Sequence, residues 1–167
     1  MSYSAGILPY TIYNGQIYFL LGRTKYDGSW SDFGGGEEKS DKNVHQTAIR
    51  EFYEETIGTV QDISHLKNTF KKKNFNEFTG LTTRGRQYHM FLIFIPHKNY
   101  TLAFKKNLSF VTYTHLPQKY QEMTDIKWFE HTTLKNAELI NLRDVFKETF
   151  TNNYEKIMSS IQSSGST

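Results

Sequence analysis

The chain of 167 residues contains no cysteine, which excludes a disulfide framework, a thiolate metal site and a cysteine nucleophile. Long apolar runs are also missing. The longest, Met90 to Pro96, is far too short to span a bilayer. Met1 is followed by Ser-Tyr-Ser-Ala-Gly, without the basic and apolar regions of a secretory leader. Together these absences predict a soluble, cytoplasmic protein with no membrane partner. The formal charge of +3 is modest for tight nucleic-acid binding. There is no internal repeat, no interdomain linker, no Walker-type phosphate loop and no Ser/His/Asp arrangement suggesting a triad.

With 37% hydrophobic, 22% charged and 16% aromatic residues, the composition is that of a globular chain rich in rings. One domain over residues 1–167 is expected, with the polar end from about 159 to 167 as a frayed tail. Residues 5–23 read as a hairpin. Thr11 to Tyr13 and Gln16 to Leu21 are strand-like around Asn14-Gly15, a strong two-residue turn signal. Strands are predicted around Leu66 to Phe70, over Gln87 to Pro96 and over Lys127 to Phe129, with an exposed loop at 74–85. Helix-spaced apolar residues run from about Asn136 through Ile161. This mixture predicts an α/β sandwich with a mixed sheet.

The chemistry concentrates in Phe33 to Thr56, FGGGEEKSDKNVHQTAIREFYEET. A helix over about Asn43 to Thr56, capped by Asn43 or Asp41, puts Ile49, Phe52, Tyr53 and Thr56 on one face. Glu51, Glu54 and Glu55 fall on the other. Three carboxylates within about one turn repel each other, and a hard divalent cation bound through oxygen relieves that repulsion. Arg50 can orient one of the acids through a bidentate contact. The glycines before the helix let backbone groups approach a ligand closely. Solvated surface glutamates and a flexible turn are the plain alternative.

The segment resembles the Nudix box, G-x5-E-x7-R-E-U-x-E-E-x-G-U, in which U is a bulky apolar residue. Arg50, Glu51, Phe52, Glu54 and Glu55 match its core in register, and Gly36 stands at the first glycine. The flanks are similar too, with Leu21-Gly22-Arg23, Trp30 and Gly34-Gly35 before it. Trp128-Phe129 and Leu142-Arg143 resemble the family's C-terminal third. The resemblance implies a Nudix-like α/β/α sandwich and a metal-dependent hydrolase that cleaves a diphosphate linkage in a nucleoside diphosphate joined to another group. It implies Mg²⁺ or Mn²⁺ held by Glu51, Glu54 and Glu55, with a backbone carbonyl at Gly35 or Gly34. Glu54, Arg50 and a loop acid would serve catalysis. Glu122 is the candidate for that acid, with Asp125 and Glu77 as rivals.

Two positions depart from the pattern. Lys42 stands where a glutamate buttresses the arginine, so Glu37, Glu38 or Asp41 is expected to replace it. Ile57 stands where glycine is expected and Gly58 follows, so one more residue of helix is expected before the turn. Arg23, Trp30, Lys72 and Arg86 are candidates for substrate contact; Tyr26 and Trp30 could stack on a base. His89 is expected to serve a structural role in its strand, and His45 to be exposed. The basic run from Lys71 to Arg86 suggests a highly anionic partner. A small nucleotide is expected, of the nucleotide sugar, ADP-ribose or dinucleoside polyphosphate type, with capped RNA or a diphosphoinositol polyphosphate as alternatives under the same chemistry. A catalytically silent nucleotide- or RNA-binding module is the alternative of another class.

Overall fold

The computed structural model describes residues 2–136 and 138–165. Strands β1 (Tyr3–Tyr13) and β2 (Gln16–Thr24) form the expected hairpin, longer than its strand-like cores. Asn14 and Gly15 both have positive φ, 50° and 75°, the conformation a tight two-residue hairpin turn requires. Short strands β3 (Trp30–Ser31) and β4 (Phe33–Gly36) lead into helix α1 (Val44–Thr56). Helix α2 (Ile63–Lys71), strands β5 (Asn76–Leu81) and β6 (Gln87–Phe94), and helix α3 (Tyr100–Tyr113) follow. A short 3-10 turn at Gln118–Tyr120 leads into β7 (Met123–Glu130) and helices α4 (His131–Lys135) and α5 (Asp144–Gly165).

The strands make one mixed sheet in the order β3-β2-β1-β6-β5, with β4 on β1 and β7 on β2. Only β1 and β6 are parallel among these pairings. Alternate side chains go to opposite faces of a strand, and both faces are covered. Ala5, Ile7, Leu20, Phe91 and Ile93 pack with Phe52, Leu66 and Phe104 of the first three helices. Leu8, Phe19, Leu21, Met90 and Leu92 pack with Leu134, Phe146, Phe150 and Ile157 of the last two. The result is an α/β/α sandwich.

Four expectations are corrected. Leu66 to Phe70 lies within helix α2, whose N-cap Asp62 accepts from the His65 amide at 2.7 Å. Leu66 and Phe70, four apart, share its buried face. Residues 76–81 are the edge strand β5 rather than loop. Its Gly80 leaves room for α5, since a Cβ there would lie 2.1 Å from Thr149 Oγ1. The C-terminal helix begins at Asp144, because Leu142 is drawn into a bridge with Trp30. It then continues through the expected tail to Gly165, with Ile161 1% exposed in the core. Ala137 and Ser166–Thr167, parts of those two expected segments, lie outside the described residues. Helix α3 had no counterpart among the expectations. No described helix is long and apolar enough to cross a membrane.

Candidate active site

Helix α1 starts where Asn43 Oδ1 accepts from the Gln46 amide at 3.0 Å, satisfying one of the donors that every helix N-terminus leaves open. Its end explains one departure from the motif. The Gly58 amide donates to Tyr53 O at 3.0 Å and the Ile57 amide to Glu54 O at 3.3 Å, the paired bonds of a Schellman ending. Such an ending places one residue in the left-handed region, usually glycine, and here that residue is Ile57, with φ 54° and ψ 38°. The helix gains no extra residue. A β-branched side chain takes the strained conformation instead, and Asn107 Nδ2 donates to its carbonyl at 3.1 Å.

The acids of α1 are not a solvated surface. Glu54 and Glu55 are only 6% and 4% exposed, because β4 and the loop before β7 cover them. Arg50 is the organising cation. It donates from Nη1 to Glu51 Oε1 at 2.9 Å and to Glu54 Oε2 at 3.4 Å, and from Nη2 to Gly36 O at 2.8 Å. Its remaining donors meet Asp41, the residue that takes the place of the motif glutamate. Nε donates to Oδ1 at 3.1 Å and Nη2 to Oδ2 at 2.9 Å. The Glu38 amide and Thr47 Oγ1 each donate to Asp41 Oδ2 at 2.9 Å. Burial pushes the Asp41 carboxyl up, but these bonds outweigh it and hold it below the usual value. Glu38 adds a longer contact to Arg50 Nη1, 3.4 Å. Lys42 is exposed.

Gly35 faces Glu51 so closely that a Cβ would lie 2.5 Å from its carboxylate. A side chain there would displace the Glu51 carboxylate from its place beside the strand. Burial, together with Glu54 and Glu122, pushes the Glu51 carboxyl up to about 7 against the pull of Arg50. Glu55 is pushed well above its ordinary value by burial and by Glu51, Glu122 and Asp32. Its Oε1 is buried without a hydrogen-bond partner. Glu122, also raised by burial and by Glu54, enters from the loop before β7. Of its rivals, Asp125 lies 4.0 Å from Lys105 and Glu77 pairs with His89; neither reaches this cleft.

These groups line a cleft of about 880 Å³ together with Lys25, Tyr26, Lys119 and Arg143. Lys119, which no sequence signal pointed to, donates from Nζ to Glu54 Oε1 at 3.1 Å. Among the described residues, no three His, Asp or Glu side chains are gathered closely enough to hold an ion as they stand. Arg50 holds Glu51 and Glu54, and Lys119 holds Glu54. The residues nevertheless suit a divalent cation in kind and place: an orphaned buried carboxylate oxygen, acids that raise one another, and a glycine strand pressed against them.

Other sequence candidates are placed differently. Trp30 does not line the cleft; it packs edge-on against Phe129 with ring centroids 4.9 Å apart, under Lys127. Tyr26, 99% exposed, does line it. Arg23 donates from Nε to Gly28 O at 3.2 Å and so braces the loop after β2. Lys72 follows the end of α2, away from the cleft. Arg86 lines a separate, neighbouring pocket. His45 is not exposed as expected. It sits among Phe70, Phe75 and Phe91, with centroids 4.8 to 5.3 Å away, and burial lowers its pKa. His89 pairs with Glu77 within the β5–β6 hairpin.

The fold, the glycine strand and the Arg-Glu helix define a Nudix domain. The family model of the NUDIX domain matches residues 4–150, and the chain belongs to that family. Among solved structures, an Ap4A hydrolase from C. elegans in a binary complex is similar, with TM-score 0.58 and 16% identity, over 96% of this chain and 98% of that one. The NUDIX domain of Shewanella oneidensis NrtR complexed with ADP ribose has TM-score 0.56 and 12% identity, over 95% and 86%. At such identities the likeness is one of fold. The uncharacterized protein L534 of Acanthamoeba polyphaga mimivirus is 48% identical over 58 residues, which are 32% of this chain and 19% of that protein. The chain therefore matches only about a fifth of that relative's length.

Proposed function

We propose that the chain is a divalent-metal-dependent hydrolase that cleaves a diphosphate linkage in a nucleoside diphosphate joined to another group. The observation that carries this reading is Glu55, a buried carboxylate with an unpartnered oxygen, set beside Glu51 and Glu122 at the base of an open cleft. Such a group costs several kcal/mol uncompensated, and a cation is the simplest compensation. Glu51, Glu54 and Glu55 would hold Mg²⁺ or Mn²⁺ with the Gly35 carbonyl, once Glu54 turns from Lys119. When bound, the metal neutralises charge on the diphosphate and makes a water more acidic.

The protein's own groups do the rest. Arg50 fixes Glu51 and Glu54 through a guanidinium that Asp41 holds in place. Glu122 faces these acids from another element and is not held by Arg50, so it is the group able to accept the attacking water's proton. As the new P–O bond forms and the bridging P–O bond breaks, Lys119 on the cleft wall counters the charge left on the departing phosphate. That the structural neighbours include an Ap4A hydrolase and a domain complexed with ADP ribose supports a small nucleotide substrate.

The Lys119–Glu54 pair favours a second reading, a nucleotide-binding module that never turns over, since such a module could keep its acids neutralised internally. Hydrolysis of ADP-ribose, dinucleoside polyphosphates, capped RNA and diphosphoinositols with Mg²⁺ or Mn²⁺ separates the two. Turnover that is lost in Glu54→Gln supports the hydrolase. Saturable binding with no turnover in either metal supports the module.

A further inference from the structure

Beside the cleft lies a second pocket of about 340 Å³, lined in part by Arg84, Arg86 and Arg143. The two cavities share Gly34, Gly35, Gly36 and Arg143, so they meet across the glycine strand. The sheet register independently gives the same placement. Gln87, next to Arg86, pairs with Tyr3 of β1, and the adjacent Ser4 pairs with Gly36 on the other side. The β5–β6 turn therefore stands level with Gly36 and two strand spacings away, about 10 Å.

The turn is built rather than loose. The Thr82 amide donates to Arg86 O at 2.8 Å, the Gly85 amide to Thr82 O at 2.9 Å, and the Arg86 amide to Thr82 Oγ1 at 3.0 Å. Gly85 takes the positive φ, 74°, that closes it. Arg143 is anchored by its amide, which donates to Trp30 O at 2.9 Å. Among the described residues, none of the three guanidinium groups has a hydrogen bond or ion pair. The acid in the pocket's floor, Asp32, is only 3% exposed and is already bonded by Tyr88 and Ser31. Arg143 lies within the field of Asp27, Asp32, Glu55 and Glu122. No carboxylate pairs with Arg84 or Arg86.

We propose that Arg84, Arg86 and Arg143 form an anion subsite for phosphates remote from the scissile linkage. The substrate, on the hydrolase reading above, then carries a polyphosphate chain longer than a diphosphate. Guanidinium forks match phosphate oxygens in pairs. A pocket with three of them beside a diphosphate cleft selects a chain that continues across Gly34–Gly36. An RNA strand would call for a basic track extending over the surface, whereas these arginines converge on one small pocket.

The test compares wild type with Arg84→Ala/Arg86→Ala, a change confined to an exposed turn, with folding checked by circular dichroism. Calorimetric binding of inorganic tripolyphosphate without metal should weaken about tenfold or more in the variant, the scale of losing charge-assisted contacts. With Mn²⁺, KM for a dinucleoside tetraphosphate should rise by a similar factor while KM for ADP-ribose holds. Equal tripolyphosphate binding by the two proteins overturns the subsite, as does an equal rise in KM for both substrates. Tighter binding of a short single-stranded RNA than of tripolyphosphate, abolished in the variant, overturns the small-molecule assignment. If wild type hydrolyses nothing, the hydrolase reading fails, and tripolyphosphate binding still decides the subsite.

Discussion

Arg50 grips both carboxylate oxygens of Asp41, from Nε at 3.1 Å and Nη2 at 2.9 Å, and through that grip reaches Glu51 and Glu54 on its own helix. A buttress normally supplied one residue later in the chain is supplied here by Asp41, with Lys42 left exposed in the loop. The charge relationship around the guanidinium survives although the expected glutamate is absent.

Asp41→Asn should therefore destabilise the protein by about 1–3 kcal/mol, the cost of taking a charged partner from a largely buried cation. On the proposed activity it should lower kcat more than it raises KM. Restoring the acid one position on, in Asp41→Asn/Lys42→Glu, should not recover stability, because position 42 faces solvent. Urea unfolding of both variants checks this.

Glu55→Gln should have opposite effects on stability and metal binding. It removes a buried carboxylate that nothing bonds at Oε1, so the metal-free protein should melt at a higher temperature than wild type. Uptake of Mn²⁺, followed by calorimetry, should be lost together with any hydrolysis. A lower melting temperature with unchanged Mn²⁺ binding would contradict the assigned role.

Lys119 competes with any cation for Glu54, since its ammonium lies 3.1 Å from Oε1. Lys119→Met should tighten Mn²⁺ binding severalfold in calorimetry while impairing substrate affinity, because the same ammonium faces the cleft. Unchanged Mn²⁺ affinity would mean that the pair exerts no hold on the site.

Asp32 gives a pH signature. Burial pushes its carboxyl up to about 6, against hydrogen bonds from Tyr88 and Ser31. An acid with a raised folded pKa binds more protons in the folded than in the unfolded state, so stability falls as pH rises from about 4 to about 6. The scale of that loss is on the order of 3 kcal/mol. In Asp32→Asn the fall should shrink, because the amide cannot ionise but still accepts from Tyr88. Glu51 and Glu55 contribute in the same direction, whereas Asp41, held low, stabilises with rising pH. Urea midpoints at pH 4.5 and pH 6.5 in both proteins give the comparison.

Ile57 stores strain at the end of α1. Placing a β-branched residue in the left-handed region costs about 1–2 kcal/mol, but its half-buried side chain packs on the core. Ile57→Gly relieves the first and loses the second, so it should alter stability by no more than about 1 kcal/mol. A loss of several kcal/mol in chemical denaturation would mean that the apolar contact dominates.

The sequence by itself determined helix α1, its stripe of acids, the Asn14-Gly15 hairpin and the buried strand β6. All depend on spacing within a few residues, and backbone periodicity and turn chemistry act at that range. It misled at Leu66 to Phe70, where two apolar residues four apart share a face in a strand and in a helix alike. It misled again at 76–81, where a polar edge strand with a glycine reads as loop. Only the tertiary structure decided which loop acid meets Arg50, that the acids of α1 are buried, and that Lys119 meets Glu54 from 65 residues away. The reason is physical: burial and long-range ion pairs depend on which elements the sheet brings side by side. The order β5-β6-β1 with β4 alongside is not written in any one segment.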